Sequence, residues 1–242
     1  MPVMKRNDDS FLELLKAPSL KGQGPLSQQL VNYLKEQIIQ FKIKPDTSLS
    51  ENILCKFFGV SRQPVREALL RLTYCGLVKI YSQRGTFVTR ISINKVRRAL
   101  LIREAVDVEL VKRASRKPNV DFLNQLNLEL TLQRSFCKEK DLTGFYQSDH
   151  KFHRIISDHG SVKGTWKDLE DLLTDLDRVR YIDVKTEQGL EQLVDEHANI
   201  IEAIAKKKAA LAEKHMRDHL ARAVKKIETI SKKMPHVFNM DE

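Results

Sequence analysis

The apolar residues first recur with helical spacing after a short N-terminal stretch that lacks such a pattern. A stripe at every third or fourth position predicts a helix over residues 26–41. A second stripe begins after Ser50 and ends at Gly59, and a third begins after Ser61 and runs to about Tyr74. Serine favours the N-cap position of a helix and glycine favours its C-terminal end, so three helices are predicted in this region.

After Gly76 the spacing of the apolar residues changes from helical to alternating. Residues 78–80 and 87–88 are predicted to form two strands. The segment 82–85 between them ends in Gly85, which can adopt the positive φ that a tight hairpin needs. Three helices followed by a hairpin predict a winged helix-turn-helix.

Everything from Ile93 onward has helical spacing, with breaks at glycine or proline. Six helices joined by short links are typical of one antiparallel bundle. The predicted fold class is therefore mainly α, with an N-terminal winged helix-turn-helix and a C-terminal all-α antiparallel helical bundle. The predicted helices of the bundle cover residues 93–116, 119–138, 141–159, 164–183, 187–207 and 209–232.

Composition excludes several classes of protein. The chain has no run of about 18 apolar residues, so no transmembrane helix is predicted, and its N-terminus lacks the long apolar segment of a signal peptide. Cys55, Cys75 and Cys137 are widely spaced and form no CxxC motif. This cysteine usage is typical of a reducing cytosol and argues against a disulfide framework or a zinc ribbon. We therefore expect a cytoplasmic protein with no membrane partner.

The formal net charge is +10, and the first third of the chain carries most of it. Residues 25–92 hold ten lysines and arginines against four acidic residues. A basic segment of this kind suits a polyanion such as nucleic acid. Charge alone fits a solvated basic surface equally well.

The third predicted helix adds a more specific signal for double-stranded DNA. Arg62, Gln63 and Arg66 lie at its outward N-terminal end, the part of a recognition helix that reaches base edges in the major groove. Arginine can bind guanine with two hydrogen bonds, and glutamine can pair with adenine. The hydroxyl of Ser61 suits a phosphate contact, and Arg84 at the wing tip suits the minor groove or a phosphate. Together with the turn and the wing, these residues favour DNA binding over a solvated amphipathic helix.

One aspartate and three histidines on three helices of the bundle share faces with apolar residues. Such a set can converge on a divalent ion and leave coordination positions open for another ligand. Each histidine alone is more often a structural group than a metal ligand, His150 lies close by, and His215 could instead pair with His219 four residues later. The candidate ligands are Asp149, His153, His197 and His219.

The N-terminal region contains the motifs GVSRQPVREAL from Gly59, RL from Arg71, GLV from Gly76 and RGTFV from Arg84. These motifs resemble those of the GntR family of bacterial repressors. The resemblance covers about residues 25–92 and implies DNA binding through the recognition helix and the wing. One departure is Asn52, where relatives carry a basic phosphate-binding residue. The positions that match family DNA contacts are Ser61, Arg62, Gln63, Arg66, Arg84 and Gly85.

The bundle region contains the patterns DxxFH from Asp149, EHxxIxxAI from Glu196 and MRxHL from Met216. With these patterns, it is similar to the all-helical FCD effector domain of the FadR-type GntR branch over about residues 93–230. In metal-binding members of this branch, the positions of Asp149, His153, His197 and His219 hold the ion, and Arg103 matches an arginine near the ligand. Relatives that bind acyl-CoA lack the full metal set. The resemblance thus implies a divalent ion, with zinc as the default and nickel or manganese as alternatives.

These features together predict a bacterial transcriptional repressor and not an enzyme. We expect a homodimer whose operator binding is controlled by a small carboxylate, such as a sugar acid, bound at the metal with Arg103 and either Arg178 or Arg180. No organic cofactor is expected. The alternatives are a metal-dependent helical enzyme and a non-specific architectural nucleic-acid binder. The predicted regions are a flexible N-terminal arm at 1–24, the DNA-binding domain at 25–92, the ligand-binding and dimerisation domain at 93–232 and a C-terminal tail at 233–242.

Overall fold

The structure is a computed structural model, and two compact units make up the chain. One unit contains the chain up to Ser92 together with the segment from Pro235, and the other extends from Ile93 to Met234. Most of the chain is helical, which confirms the predicted fold class. No helix among the described residues has the length and apolar character to cross a membrane. The structure describes residues 9–20, 22, 24–161, 164–184 and 187–239.

The first unit is a winged helix-turn-helix, as the sequence predicts. Three helices pack around a core that contains Leu34, Leu54 and Leu72, all at most 1% exposed. A two-stranded antiparallel hairpin follows, in which Tyr81 pairs with Gly85. Its elements are α1 (Leu26–Ile39), α2 (Glu51–Phe58), α3 (Arg62–Tyr74), β1 (Val78–Tyr81) and β2 (Gly85–Val88).

The boundaries of these helices follow local backbone chemistry. Gly59 ends α2 in the left-handed conformation, with φ of 66°. Ser61 occupies the N-cap of α3, but its side chain makes no capping hydrogen bond, so the predicted hydroxyl cap is absent. Helix α1 ends at Ile39, before the predicted residue 41, because Phe41 adopts a φ of 58°.

Part of the predicted flexible arm at 1–24 has local structure and buried side chains. Asp9–Leu14 form a 3₁₀ helix, and Phe11 and Leu15 are buried in the core of the first unit. The Tyr33 hydroxyl also donates a hydrogen bond of 2.7 Å to the carbonyl of Lys16. Burial of these two apolar side chains gives the segment its order. Residues 1–8, 21 and 23 of the predicted arm lie outside the described residues.

The C-terminal segment is more than the predicted tail at 233–242. Pro235–Val237 form a 3₁₀ turn, and β4 (Phe238–Asn239) pairs in parallel with β3 (Ile91–Ser92). Val237 and Phe238 are 3% and 2% exposed. The segment therefore belongs to the first unit, because its two apolar residues are buried there. Residues 240–242 lie outside the described part of the chain.

The second unit is a bundle with seven helices in the described residues. The single helix predicted over 164–183 is wrong, because the turn around Leu172 divides it in two. The Leu172 N–H bonds to the Leu169 carbonyl three residues back, and this tighter turn leaves Leu172 54% exposed while Leu173 is fully buried. The helices are α4 (Ile93–Arg116), α5 (Val120–Glu139), α6 (Leu142–Gly160), α7 (Thr165–Glu170), α8 (Thr174–Val184), α9 (Glu187–Ala205) and α10 (Ala209–Lys233).

Helix α6 packs closely on α4. A Cβ at Gly160 would lie 2.4 Å from the carbonyl oxygen of Leu110, so only glycine permits this approach. At its other end, Asp141 accepts a hydrogen bond of 2.9 Å from the Gly144 N–H and caps the helix. Phe145, Phe152 and other apolar residues of α6 are buried in the bundle core. The polar residues on the same face of α6 are thereby carried into the interior.

Candidate functional site

The predicted DNA-contacting residues of α3 lie on the surface. Arg62, Gln63 and Arg66 are exposed, while Val65 and Leu69 are buried in the core of the first unit. The Arg66 Nε lies 3.8 Å from Glu51 Oε1, and its side chain is 77% exposed. A contact this long and exposed is weak. The guanidinium is therefore available to an external partner.

The basic residue of the wing is also exposed to solvent. Arg84 is exposed in the turn between β1 and β2, and its N–H donates a hydrogen bond of 3.1 Å to the Tyr81 carbonyl. Gly85 has a φ of 108° and Gln83 a φ of 60°. Gly85 thus has the positive φ that the sequence predicts. Ser61 is exposed as well, with its hydroxyl free of a capping bond.

The four candidate metal ligands meet in the interior of the second unit. Asp149 and His153 lie one turn apart on α6, His197 lies on α9 and His219 on α10. One ligand atom from each residue lies within 4.8 Å of the other three. All four side chains are buried. The structure therefore brings together the four residues that sequence reasoning selected.

The distances show how the ligand atoms face one another. The Nε2 atoms of His153 and His219 are 3.2 Å apart. His197 Nε2 lies 3.5 Å from Asp149 Oδ1. The second carboxylate oxygen of Asp149 contacts the guanidinium of Arg180. Arg180 thus turns the other oxygen of Asp149 toward the histidines.

In each of the three histidines, Nε2 faces the other candidate ligands and Nδ1 faces an oxygen of a neighbouring residue. His197 Nδ1 lies 2.8 Å from Gln133 Oε1, and His219 Nδ1 lies 2.8 Å from Glu196 Oε2. His153 Nδ1 faces Asp107 Oδ2 at 3.6 Å. The oxygens of Gln133 and Glu196 accept hydrogen bonds, so they favour a proton on Nδ1 and a lone pair on Nε2 of His197 and His219.

The protonation states also suit metal ligation. Burial lowers the pKa of His153, His197 and His219 well below the ordinary histidine value, and nearby positive groups lower it further. The imidazoles are therefore neutral near pH 7. Among the described residues, Asp149 Oδ1 and His197 Nε2 are buried without a hydrogen-bond partner. A buried set of three imidazole nitrogens and one carboxylate oxygen fits a divalent cation.

Two arginines with largely buried side chains, Arg103 and Arg180, adjoin the cluster. Arg103 pairs with Asp107 at 2.9 Å, and burial raises the pKa of Asp107 while Arg103 opposes that rise. Burial lowers the pKa of Arg180 to about 9, which leaves it protonated near neutral pH. Arg178 pairs instead with Asp175 at 3.2 Å. The sequence offered either Arg178 or Arg180 as an effector residue, and Arg180 is the one in contact with the cluster.

Two histidines that lie near the candidate ligands in sequence are not among the four residues that converge in the structure. His215 is not part of the cluster, and His150 faces Asp177 at 3.3 Å. Sequence reasoning missed the supporting residues Gln133 and Glu196. Glu196 directly precedes His197, which was a usable signal, whereas Gln133 lies 64 residues before His197 and gave none.

Comparison with known protein families identifies two domains in the chain, in the same order as the two predicted from the sequence. Residues 99–222 match the FCD domain, and residues 26–88 match the bacterial regulatory proteins of the gntR family. The HTH-type transcriptional repressor RspR of Escherichia coli (strain K12) is 34% identical, over 83% of this chain and 88% of the relative. The gluconate operon transcriptional repressor of Bacillus licheniformis is 25% identical, over 81% and 83%. The solved structure of E. coli McbR/YncC shares the fold, with a TM-score of 0.75 at 18% identity, over 86% and 99%.

These relatives and this fold are those of DNA-binding transcriptional regulators and not of enzymes. The predicted alternative of a metal-dependent helical enzyme is therefore wrong. The chain belongs to the GntR family of bacterial transcriptional regulators and carries a C-terminal FCD domain.

Proposed function

We propose that this regulator is a cytoplasmic homodimeric repressor whose operator binding is controlled by a small carboxylate, such as a sugar acid, bound at a metal site. One observation carries the proposal: Asp149 Oδ1 and His197 Nε2 are buried acceptors that face each other without a donor between them. Burying unpaired polar atoms costs free energy unless a ligand compensates them. A divalent cation supplies that compensation.

The metal would be held by the N₃O set of the bundle. Zinc is the default for such ligands, and nickel or manganese are alternatives. A bound ion would supply a Lewis-acidic charge with open positions for a carboxylate oxygen. Gln133 and Glu196 orient the rings of His197 and His219 through hydrogen bonds. The four ligands are Asp149, His153, His197 and His219.

The arginines favour an anionic effector. Arg103 is 1% exposed, and Arg180 lies against Asp149. Two buried guanidinium groups beside one cation site make the environment suitable for a carboxylate, since charge-assisted hydrogen bonds to anions are strong. The name of the gluconate operon repressor associates a relative with a sugar acid, which supports the same class of effector.

The DNA half of the proposal rests on the exposed residues of α3 and the wing. In a homodimer, two copies of α3 would occupy successive major grooves of a palindromic operator. Arg62, Gln63 and Arg66 would contact base edges, and Ser61 would contact phosphate. Arg84 and Gly85 would approach the backbone or the minor groove.

Helix α4 connects the proposed effector site to the DNA-binding domain along the chain. Helix α4 carries Arg103 and Asp107 and begins at Ile93, directly after β3 ends at Ser92. A ligand that shifts α4 in the bundle therefore acts on a helix joined to the first unit without an intervening loop. The ligand must favour one arrangement of the dimer to change operator affinity.

The test uses the tag-free 242-residue chain with and without zinc. Melting temperatures are measured against a panel of sugar acids and small carboxylates, and DNA binding is measured on a site selected from a random library. We expect a sugar acid that raises the melting temperature only in the metal-loaded protein and changes DNA affinity. A chain that binds no metal, or an acid response that persists after chelation, would refute the metal-centred site.

A pair of histidine variants sharpens this test. His197→Ala removes a ligand and should abolish both stoichiometric metal and the acid response. His215→Ala removes a histidine from the same helix as His219 but outside the cluster, and should change neither. Circular dichroism of both variants establishes that they fold.

A further inference from the structure

Trp166 is the single tryptophan of the chain and lies beside the four-residue cluster. It is on α7 and is 1% exposed. Its ring is parallel to that of His153, with centroids 6.2 Å apart, and the Arg103 Cζ lies 5.8 Å from its centre. The ring of His150 meets it edge-on at 5.3 Å. Trp166 therefore adjoins both a candidate metal ligand and the candidate effector arginine.

The indole nitrogen of Trp166 is buried without an acceptor. In the described part of the chain, Trp166 Nε1 has no hydrogen-bond partner. An indole N–H can only donate, and a buried Trp usually finds an acceptor for it. An oxygen atom of a bound ligand would satisfy this donor.

A second donor in the same region has the same property. Arg180 Nη1 is buried without a hydrogen-bond partner among the described residues, and it lies 3.5 Å from Asp177 Oδ1. The unpaired acceptors on Asp149 and His197 suit a cation. The unpaired donors on Arg180 and Trp166 suit oxygen atoms of a ligand. An oxygen-rich anion bound beside a cation would satisfy both groups.

We propose that Trp166 is a specificity-determining residue that donates its indole N–H to a hydroxyl oxygen of the effector and so selects hydroxylated acids over unsubstituted carboxylates. This inference rests on the proposed function and names the effector class more narrowly. The metal and the arginines carry positive charge and suit the carboxylate, whereas the indole is a neutral donor that suits a neutral oxygen. A site with a buried donor discriminates strongly against an analogue that lacks the matching group.

The test replaces the indole N–H and changes little else. Because Trp166 is the single tryptophan, biosynthetic replacement of tryptophan by 3-benzothienylalanine, which has sulfur in place of N–H, alters this position alone. Calorimetry on metal-loaded protein compares hydroxy acids of two to six carbons, from glycolate to gluconate, with acetate, propanoate, butanoate and hexanoate. We expect the replaced protein to bind the preferred hydroxy acid about tenfold more weakly, and to bind unsubstituted acids unchanged.

The fluorescence of Trp166 provides a second measurement of effector binding. Its emission should shift when the preferred hydroxy acid is added to the metal-loaded wild-type protein, and should shift less with the matched unsubstituted acid. Trp166→Phe provides a second variant without the N–H, and metal titration by calorimetry establishes that its metal site is intact.

The possible outcomes separate the two proposals. If the wild-type protein prefers a hydroxy acid and the benzothienyl protein retains that affinity, Trp166 has no such role and the proposed function stands. If the wild-type protein binds no acid of either series, the proposed function fails and the role of Trp166 fails with it. Loss of the preference on replacement supports the assignment.

Discussion

Asp149 Oδ1 and His197 Nε2 approach to 3.5 Å although both are acceptors. Gln133 Oε1 lies 2.8 Å from the other nitrogen of His197 and places the imidazole proton there. Burial keeps this imidazole neutral by lowering its pKa. The two atoms therefore face each other as lone pairs, an arrangement that a cation between the four ligands would stabilise.

Gln133 should control metal affinity without being a ligand. Gln133→Leu removes the acceptor that orients His197, so we expect metal binding to weaken by about 10- to 100-fold. Gln133→Glu retains an acceptor and should recover most of the affinity. Titration of a competing chelator measures both variants. Equal affinities of the leucine variant and the wild-type protein would mean that His197 is oriented by other contacts.

Arg66 should contribute both affinity and sequence preference on DNA. Arg66→Ala removes a guanidinium that reaches base edges, and we expect binding of the selected site to weaken by about 10- to 100-fold. Arg66→Lys retains the charge but loses the two-pronged contact with guanine, so it should bind DNA with reduced discrimination. Fluorescence anisotropy on selected and scrambled sites measures both effects. A lysine variant with full discrimination would assign base reading to other residues.

Asn52 should be a position where DNA affinity can be raised. It is exposed on α2, and the resemblance to the GntR family implies a basic phosphate-binding residue at this position. Asn52→Lys adds a charge that can neutralise one phosphate, so we expect tighter binding and a salt slope of log K steeper by about 0.9. Asn52→Gln is the neutral control and should leave the slope unchanged. An unaltered slope in the lysine variant would place residue 52 away from the backbone.

Phe238 should stabilise the first unit although it is near the end of the chain. Its side chain is 2% exposed, and we expect Phe238→Ala to lower the free energy of unfolding by about 3 kcal/mol or more. His236→Ala, at an exposed position of the same segment, should change it by less than about 0.5 kcal/mol. Denaturant unfolding compares the two variants. Similar small effects would show that the C-terminal segment adds little stability.

The sequence predicts best what local spacing determines. Gly59 marks the turn of the helix-turn-helix and Gly85 marks the wing, because each adopts a positive φ that few residue types favour. Ser61 marks the start of α3 because serine is common at the N-cap position. Asp149 and His153 share a helix face because they are four residues apart. Such features need no knowledge of distant contacts.

The rest depends on contacts between distant segments. Gln133 supports His197 across 64 residues, and no periodic pattern connects them. The turn at Leu172 interrupts an apolar spacing that remains helical, so the break between α7 and α8 was invisible in the sequence. Trp166 could be identified as apolar, but only the fold places its ring beside His153.

The return of the C-terminus to β3 makes the DNA-binding unit discontinuous in sequence. A fragment that ends at Ser92 contains all three helices and the hairpin, yet it lacks Val237 and Phe238 and leaves β3 without its partner strand. The chain also crosses between the two units twice, once after Ser92 and once after Met234. Proteolytic cleavage at either junction alone would therefore leave both units covalently attached or held by strand pairing. Release of a freely diffusing DNA-binding head therefore requires cleavage at both junctions, or cleavage at the first junction together with loss of the β3–β4 pairing.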